Sequence, residues 1–187
     1  MADRPDRGQP RPRGANESAC SAMGKLVLRE GTDADAADVI ALIDRCFSQY
    51  PGCVMDLPGL DRDLPQIASH FAGRGGRFWV VENRAGAPAR IVACCGVVPG
   101  AGGETAELKR LYVHPGARRR GLARRLAALV ESWARAHGAR RIELWSDTRF
   151  TEAHAFYLAS GYRRTGRTRQ LNDPSNTTEY HFEKILS

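Results

Sequence analysis

Hydrophobic and polar positions along the chain form runs whose period changes from about two to about 3.6 and back. KLVLRE reads as a short strand that begins the folded part. In GTDADAADVIALIDRCFSQY, Ala37, Ile40, Ile43 and Phe47 stand at helical spacing. Thr32 or Asp33 is placed to cap that helix, and Pro51 and Gly52 stop it near Tyr50. Turn residues fill the next stretch until a short helix over about residues 64–71. RFWVVEN and ARIVACCGVVPG are strand-like runs around a Gly and Ala turn, which predicts an antiparallel hairpin. TAELKRLYV is a further alternating run. Strict alternation puts Glu107, Lys109, Leu111 and Val113 on one face and Leu108, Arg110 and Tyr112 on the other.

From Leu122 the period returns to that of a helix, with Leu126, Leu129, Val130, Trp133 and Ala134 as its buried stripe and Gly138 to end it. RRIELWS is another strand and TEAHAFYLAS another helix, followed by closing strands in YRRTGRTR and TTEYHFEKIL. The pattern predicts a mixed α/β domain over residues 24–187, with a central sheet and no internal repeat. Residues 1–23 are rich in Pro, Gly, Arg and Ser. They hold too little apolar surface to offset their ordering entropy, which predicts a disordered tail.

No apolar run approaches the roughly 18 to 20 residues of a membrane span, and no apolar core follows the N-terminal arginines. A cytoplasmic location, no membrane partner and a monomer or homodimer are therefore expected. The five cysteines, Cys20, Cys46, Cys53, Cys94 and Cys95, form no CxxC pair and have no histidines at zinc spacing, so structural thiols and no metal are expected. Alternation sends Cys94 and Cys95 to opposite faces of one strand.

The net charge of +7 makes nucleic acid a candidate partner. Its distribution argues otherwise. Between Lys109 and Arg141 there are ten Lys or Arg against one acid, Glu131, so the positive field belongs to one segment. The only aromatics there are Tyr112 and Trp133, and Trp133 is on the buried stripe, so stacking partners for bases are lacking and no nucleic-acid partner is expected. Within this segment, VHPGARRRGLARRL joins a strand to a helix. That order builds an anion site, because a helix N-terminus offers unpaired N–H groups and partial positive charge, and Gly121 permits close approach. A solvated helix start remains the plain alternative.

ELKRLYVHPGARRRGLARRL resembles the acetyl-CoA binding region of the GCN5-related N-acetyltransferase (GNAT) family. The matching signature positions are Arg118, Gly121 and Ala123, and AHAFYLASGY follows at the family's spacing. The resemblance covers about residues 25–187. It implies a GNAT fold, a mixed and mostly antiparallel sheet of about six to seven strands with a splayed, V-shaped cofactor slot. It also implies acetyl-CoA as co-substrate, with the backbone from Arg118 through Arg119, Arg120, Gly121 and Leu122 to Ala123 around the pyrophosphate. Arg119, Arg120 or Arg124 would meet the adenosine phosphates. Leu111, Tyr112 and Val113 would lie along the pantetheine arm.

By the same resemblance Tyr157 is the general acid and Glu107 the base. Helix packing for Tyr157 and a solvated strand-end carboxylate for Glu107 are the plain alternatives. The family's pantetheine-contacting asparagine is replaced by Phe150, which leaves Asp147, Thr148 or Arg149 as substitutes. The acceptor expected is a small-molecule primary amine such as an amino acid. Asp56, Asp61, Asp63, Asp173 and Glu179 would attract its ammonium, while Arg149, Arg167 and Arg169 would pair with a carboxylate. A protein N-terminus or lysine, or a non-catalytic acetyl-CoA sensor, are the alternatives.

Overall fold

A computed structural model describes residues 26–85 and 90–186. The expected tail over residues 1–23, with Cys20, lies outside the described residues, as does the middle of the first hairpin turn.

Among the described residues, seven strands make one sheet in the order β1-β2-β3-β4-β5-β7-β6. They are β1 (Leu26–Glu30), β2 (Arg77–Asn83), β3 (Ile91–Pro99), β4 (Thr105–Val113), β5 (Arg141–Asp147), β6 (Arg163–Gln170) and β7 (Thr178–Ile185). All neighbours are antiparallel except β4 and β5. That single parallel pair follows from the crossover helix between them, which returns the chain to the same end of the sheet. The helices are α1 (Ala36–Phe47), α2 (Ile67–Gly73), α3 (Leu122–Ala136) and α4 (Thr151–Ala159). Short 3-10 turns precede α1, α2 and α3.

Two apolar clusters lie on opposite faces of the sheet. Leu122, Leu126, Val130, Trp133 and Ala134 of α3 and Tyr157 of α4 pack with Cys95, Val97, Leu108 and Leu144. Val39, Leu42, Ile43 and Cys46 of α1 and Ile67 and Phe71 of α2 pack with Val80, Cys94 and Val98. Cys94 and Cys95 therefore do face opposite ways, and burial pushes both thiols up. The buried stripe of α1 differs from the spacing read above, since Ala37 is exposed and Val39 and Leu42 are the anchors. Ile43 is buried with them and Ile40 and Phe47 pack against the same cluster, so the stripe is wider than the four positions read above and lacks only Ala37.

The expected alternation of β4 does not hold through to its end. Arg110 has φ 56, and the pairing with β3 shifts register there, so β4 carries a bulge. Before it, Glu107 and Lys109 share the α1 face. After it, Tyr112 pairs with Cys94 on that face, and Leu111 and Val113 turn to the α3 face. The extra residue inverts the parity of every side chain beyond it.

Candidate active site

β4 and β5 pair only from Thr105↔Arg141 to Glu107↔Glu143. Beyond Glu107 the strands part, and β4 presents an unpaired backbone edge to the gap. A cavity of about 1080 Å³ fills the opening, which is room for an extended ligand and an acceptor together. It is lined by Glu107, Leu111, Tyr112, Val113, Arg118, Arg119, Gly121, Leu122, Ala123, Arg124 and Tyr157. Of the residues singled out for catalysis or cofactor binding, Arg120 alone does not line it.

One wall is the turn into α3. Arg119 (φ 60) and Gly121 (φ 75) are both left-handed, and the residues between Arg118 and the helix form a concave turn of backbone amides. The N–H groups of Arg119, Arg120, Gly121, Leu122, Ala123 and Arg124 find no acceptor among the described residues. The N–H of Arg118 is taken by the Pro115 carbonyl at 3.3 Å, so the free run starts one residue later than the resemblance implied. A Cβ built on Gly121 meets nothing within 4 Å, so the turn faces open space. These donors, with exposed Arg119 and Arg124 beside them, fit a polyanionic ligand such as a pyrophosphate.

The Arg118 side chain turns inward instead. Its Nε donates to the Val113 carbonyl at 3.4 Å, and Nη1 lies 2.8 Å from Glu152, in the first turn of α4. It joins the end of β4 to α4 across the slot.

Tyr157 sits between Phe156, Tyr162 and Phe182 with ring centroids 5.6 to 5.7 Å away. It is both core and lining. Its hydroxyl has no partner among the described residues, and burial pushes the phenol well above its usual range, so it stays protonated through neutral pH. Its neighbour Phe156 also lines the cavity. Glu107 lies at the closed end of the slot, its Oε1 2.8 Å from Lys109 Nζ.

Phe150 packs on Tyr50 at 4.7 Å and Phe47 at 6.0 Å, and Phe47 meets Tyr112 at 5.9 Å. An aromatic wall stands where a polar contact was expected. Asp147 is held by the Arg149 guanidinium at 2.6 Å, and neither Thr148 nor Arg149 lines the cavity.

At the other mouth several charges expected to meet an acceptor are already matched. Arg110 reaches from the bulge to Asp61 and Asp63, each at 2.6 Å, and Arg169 pairs with Glu179 at 2.5 Å. Asp56 and Asp173 have no ion-pair partner among the described residues. Arg167 and Arg169 lie over the Trp145 ring at 5.2 and 4.4 Å. The Ser175 hydroxyl bonds both the N–H and the carbonyl of Val54, at 2.9 and 3.1 Å, tying the last hairpin to the loop after α1. Nothing in the sequence signals these loop-to-loop bonds. No group of side chains suited to a metal occurs among the described residues.

The model of the acetyltransferase (GNAT) family matches residues 37–162. An "Uncharacterized N-acetyltransferase YjgM" of Escherichia coli (strain K12) is 31% identical over 140 residues, 73% of this chain and 81% of that protein. Among solved structures, a GNAT-family acetyltransferase from Staphylococcus aureus Mu50 superposes with TM-score 0.73 at 20% identity, over 87% of this chain and 99% of that one. The structure of yncA from Salmonella typhimurium, with its cofactor acetyl-CoA, superposes with TM-score 0.64 at 15% identity, over 87% and 95% of the two chains.

Proposed function

The chain belongs to the GNAT family of acetyltransferases, and from that premise we propose that it moves an acetyl group from acetyl-CoA to the primary amine of a small molecule. The observation that carries the reading is the run of acceptor-free N–H groups from Arg119 to Arg124, opening on a slot between two parting strands. In this role those groups hold the pyrophosphate, with Arg119 and Arg124 beside it and Arg120 further out. The open edge of β4 at Leu111, Tyr112 and Val113 pairs with the amide-bearing arm as an added strand would.

The coenzyme supplies an activated thioester. Tyr157 donates its hydroxyl proton to the departing sulfur as the C–S bond breaks. Glu107 takes the proton that the amine nitrogen loses as the new C–N bond forms. Buried Tyr157 is protonated at neutral pH and reaches the slot, which suits a donor. No helix among the described residues is long and apolar enough to cross a membrane.

A small acceptor is favoured because the Ser175 and Arg110 bonds draw two loops over that end of the cavity. Exposed Val54, Leu57 and Leu60 on one of those loops favour a second reading, a peptide whose apolar side chain rests there. Calorimetric titration with acetyl-CoA tests the premise, and absence of heat together with absence of thermal protection refutes it. Thiol release across amino acids, polyamines, aminoglycosides and peptides then separates the two acceptors.

A further inference from the structure

Glu107 does not stand alone on its face of the sheet. Its register partner on β5 is Glu143, and the partner of Glu143 on β7 is Glu183, so three glutamates form a row across the strands. Like charges at such separations oppose one another. Each member has its own basic neighbour: Arg163 pairs with Glu183, His181 Nε2 lies 3.4 Å from Glu143, and Lys109 Nζ lies 2.8 Å from Glu107. Burial pushes His181 below its ordinary range, so at neutral pH it gives Glu143 little charge. Arg141, further along the same face of β5, makes no ion pair among the described residues. Lys109 is therefore the permanent cation in contact with the Glu107 end of the row.

The contact is one-sided. Lys109 engages Oε1 of Glu107, and Oε2 has no partner among the described residues. Both side chains line the cavity, with 30% and 20% of their surface exposed. Of 28 Lys and Arg residues only Lys25, Lys109 and Lys184 are lysines, so a lysine here is not a default of composition. The difference matters physically. A guanidinium forks onto both oxygens of a carboxylate, whereas an ammonium is a point charge that satisfies one.

We propose that Lys109 is a positioning residue for the reaction: its ammonium anchors one oxygen of Glu107 against the glutamate row and leaves the other oxygen free for the acceptor amine. The inference rests on the reading of Glu107 as the base. It adds that the Glu107 carboxylate works as half of a pair, aimed by a residue that does not touch the acceptor.

A double-mutant cycle tests it, using thiol release from acetyl-CoA with the fastest amine of the panel. Lys109→Met is expected to lower kcat about tenfold, part of the roughly hundredfold or more that a positioned base contributes, with the Kd for acetyl-CoA unchanged and the thermal midpoint lowered by no more than a few degrees. In a Glu107→Gln background the same substitution is expected to cost nothing further. Lys109→Arg is expected to fall between wild type and Lys109→Met, since it restores the charge but occupies both oxygens. If Glu107→Gln slows turnover and Lys109→Met costs the same factor in both backgrounds, the positioning role is overturned while the base stands. If Glu107→Gln turns over like wild type, the base reading falls and this inference with it.

Discussion

Replacing Gly121 by alanine asks whether backbone or arginine side chains hold the coenzyme. The residue has φ 75, and a Cβ there meets nothing within 4 Å. No clash contributes, so the cost in the free protein is torsional, about 1 to 2 kcal/mol for an L-residue held left-handed. The protein has two responses. If the turn keeps its shape, the strain shows as lost stability, a few degrees in the thermal midpoint, and the new methyl points into the space a ligand would use. If the turn relaxes, the N–H groups on either side no longer converge, and the strain shows as lost affinity. One to two kcal/mol is a factor of roughly 5 to 30 in Kd. Arg119, Arg120 and Arg124 are exposed and make no ion pair among the described residues. An exposed charge contact is worth about 1 kcal/mol or less, under about fivefold, and fades with salt. Calorimetric titration of acetyl-CoA at low and high salt distinguishes the two. Gly121→Ala should weaken binding at both, and each Arg→Gln change should weaken it less, mainly at low salt. Wild-type affinity for Gly121→Ala, beside a tenfold loss for any one arginine, refutes the backbone account.

Tyr157→Phe should leave the Kd for acetyl-CoA unchanged and lower kcat about a hundredfold; an unchanged rate in the thiol-release assay removes the tyrosine from the chemistry. Asp61→Ala leaves Arg110 short of a carboxylate and strips the acceptor from the Asp56 N–H at 2.8 Å. Urea unfolding should show a loss of about 3 kcal/mol, and a loss under about 1 kcal/mol means that the loop was not held from the bulge. Asp35 accepts from Arg29 at 2.8 Å and from Thr32 N–H at 3.0 Å, and these contacts, the Arg29 hydrogen bond first, hold its carboxyl well below the usual range. A depressed carboxylate stabilises the fold fully above its unfolded pKa of about 4 and loses that contribution as pH falls below it. The stability advantage of wild type over Asp35→Asn should therefore be constant at neutral pH and shrink below about pH 4; an advantage that grows on acidification contradicts the sign.

Most of the fold was legible because it rests on local signals. Each strand and helix read from period and punctuation is present, down to Gly138 ending α3 in a left-handed turn (φ 79) and the two adjacent cysteines facing apart. The turn into α3 was legible for the same reason, since a glycine at a strand-to-helix junction is a local requirement of backbone geometry, and Gly121 is left-handed there. The stripe of α1 was read too narrowly: Ile40, Ile43 and Phe47 do pack on the sheet, but Val39, Leu42 and Cys46 beside them are buried as well, and of the positions read only Ala37 is exposed.

The acceptor end was less legible, and the reason is one residue. LKRLYV contains no glycine or proline to announce a bulge, yet Arg110 takes φ 56. A left-handed arginine costs about 1 to 2 kcal/mol and persists only when its surroundings offset it. Here Asp61 and Asp63 do so, from a loop 49 and 47 residues earlier in the chain, through contacts of 2.6 Å. The same contacts remove from the acceptor the two carboxylates that a charge count had reserved for it, as Asp147 and Glu179 remove Arg149 and Arg169. Charge along the sequence therefore overstated the polarity available to a substrate. Asp56 and Asp173, with exposed Arg62 and Arg74 at the rim, are the cavity-lining charges left without an ion-pair partner among the described residues at that mouth, and the Tyr50, Phe150 and Trp145 rings line it beside them. On the proposed reading, an acceptor at this end meets aromatic rings and only a few unpaired charges, which is a narrower demand than the loop composition implied.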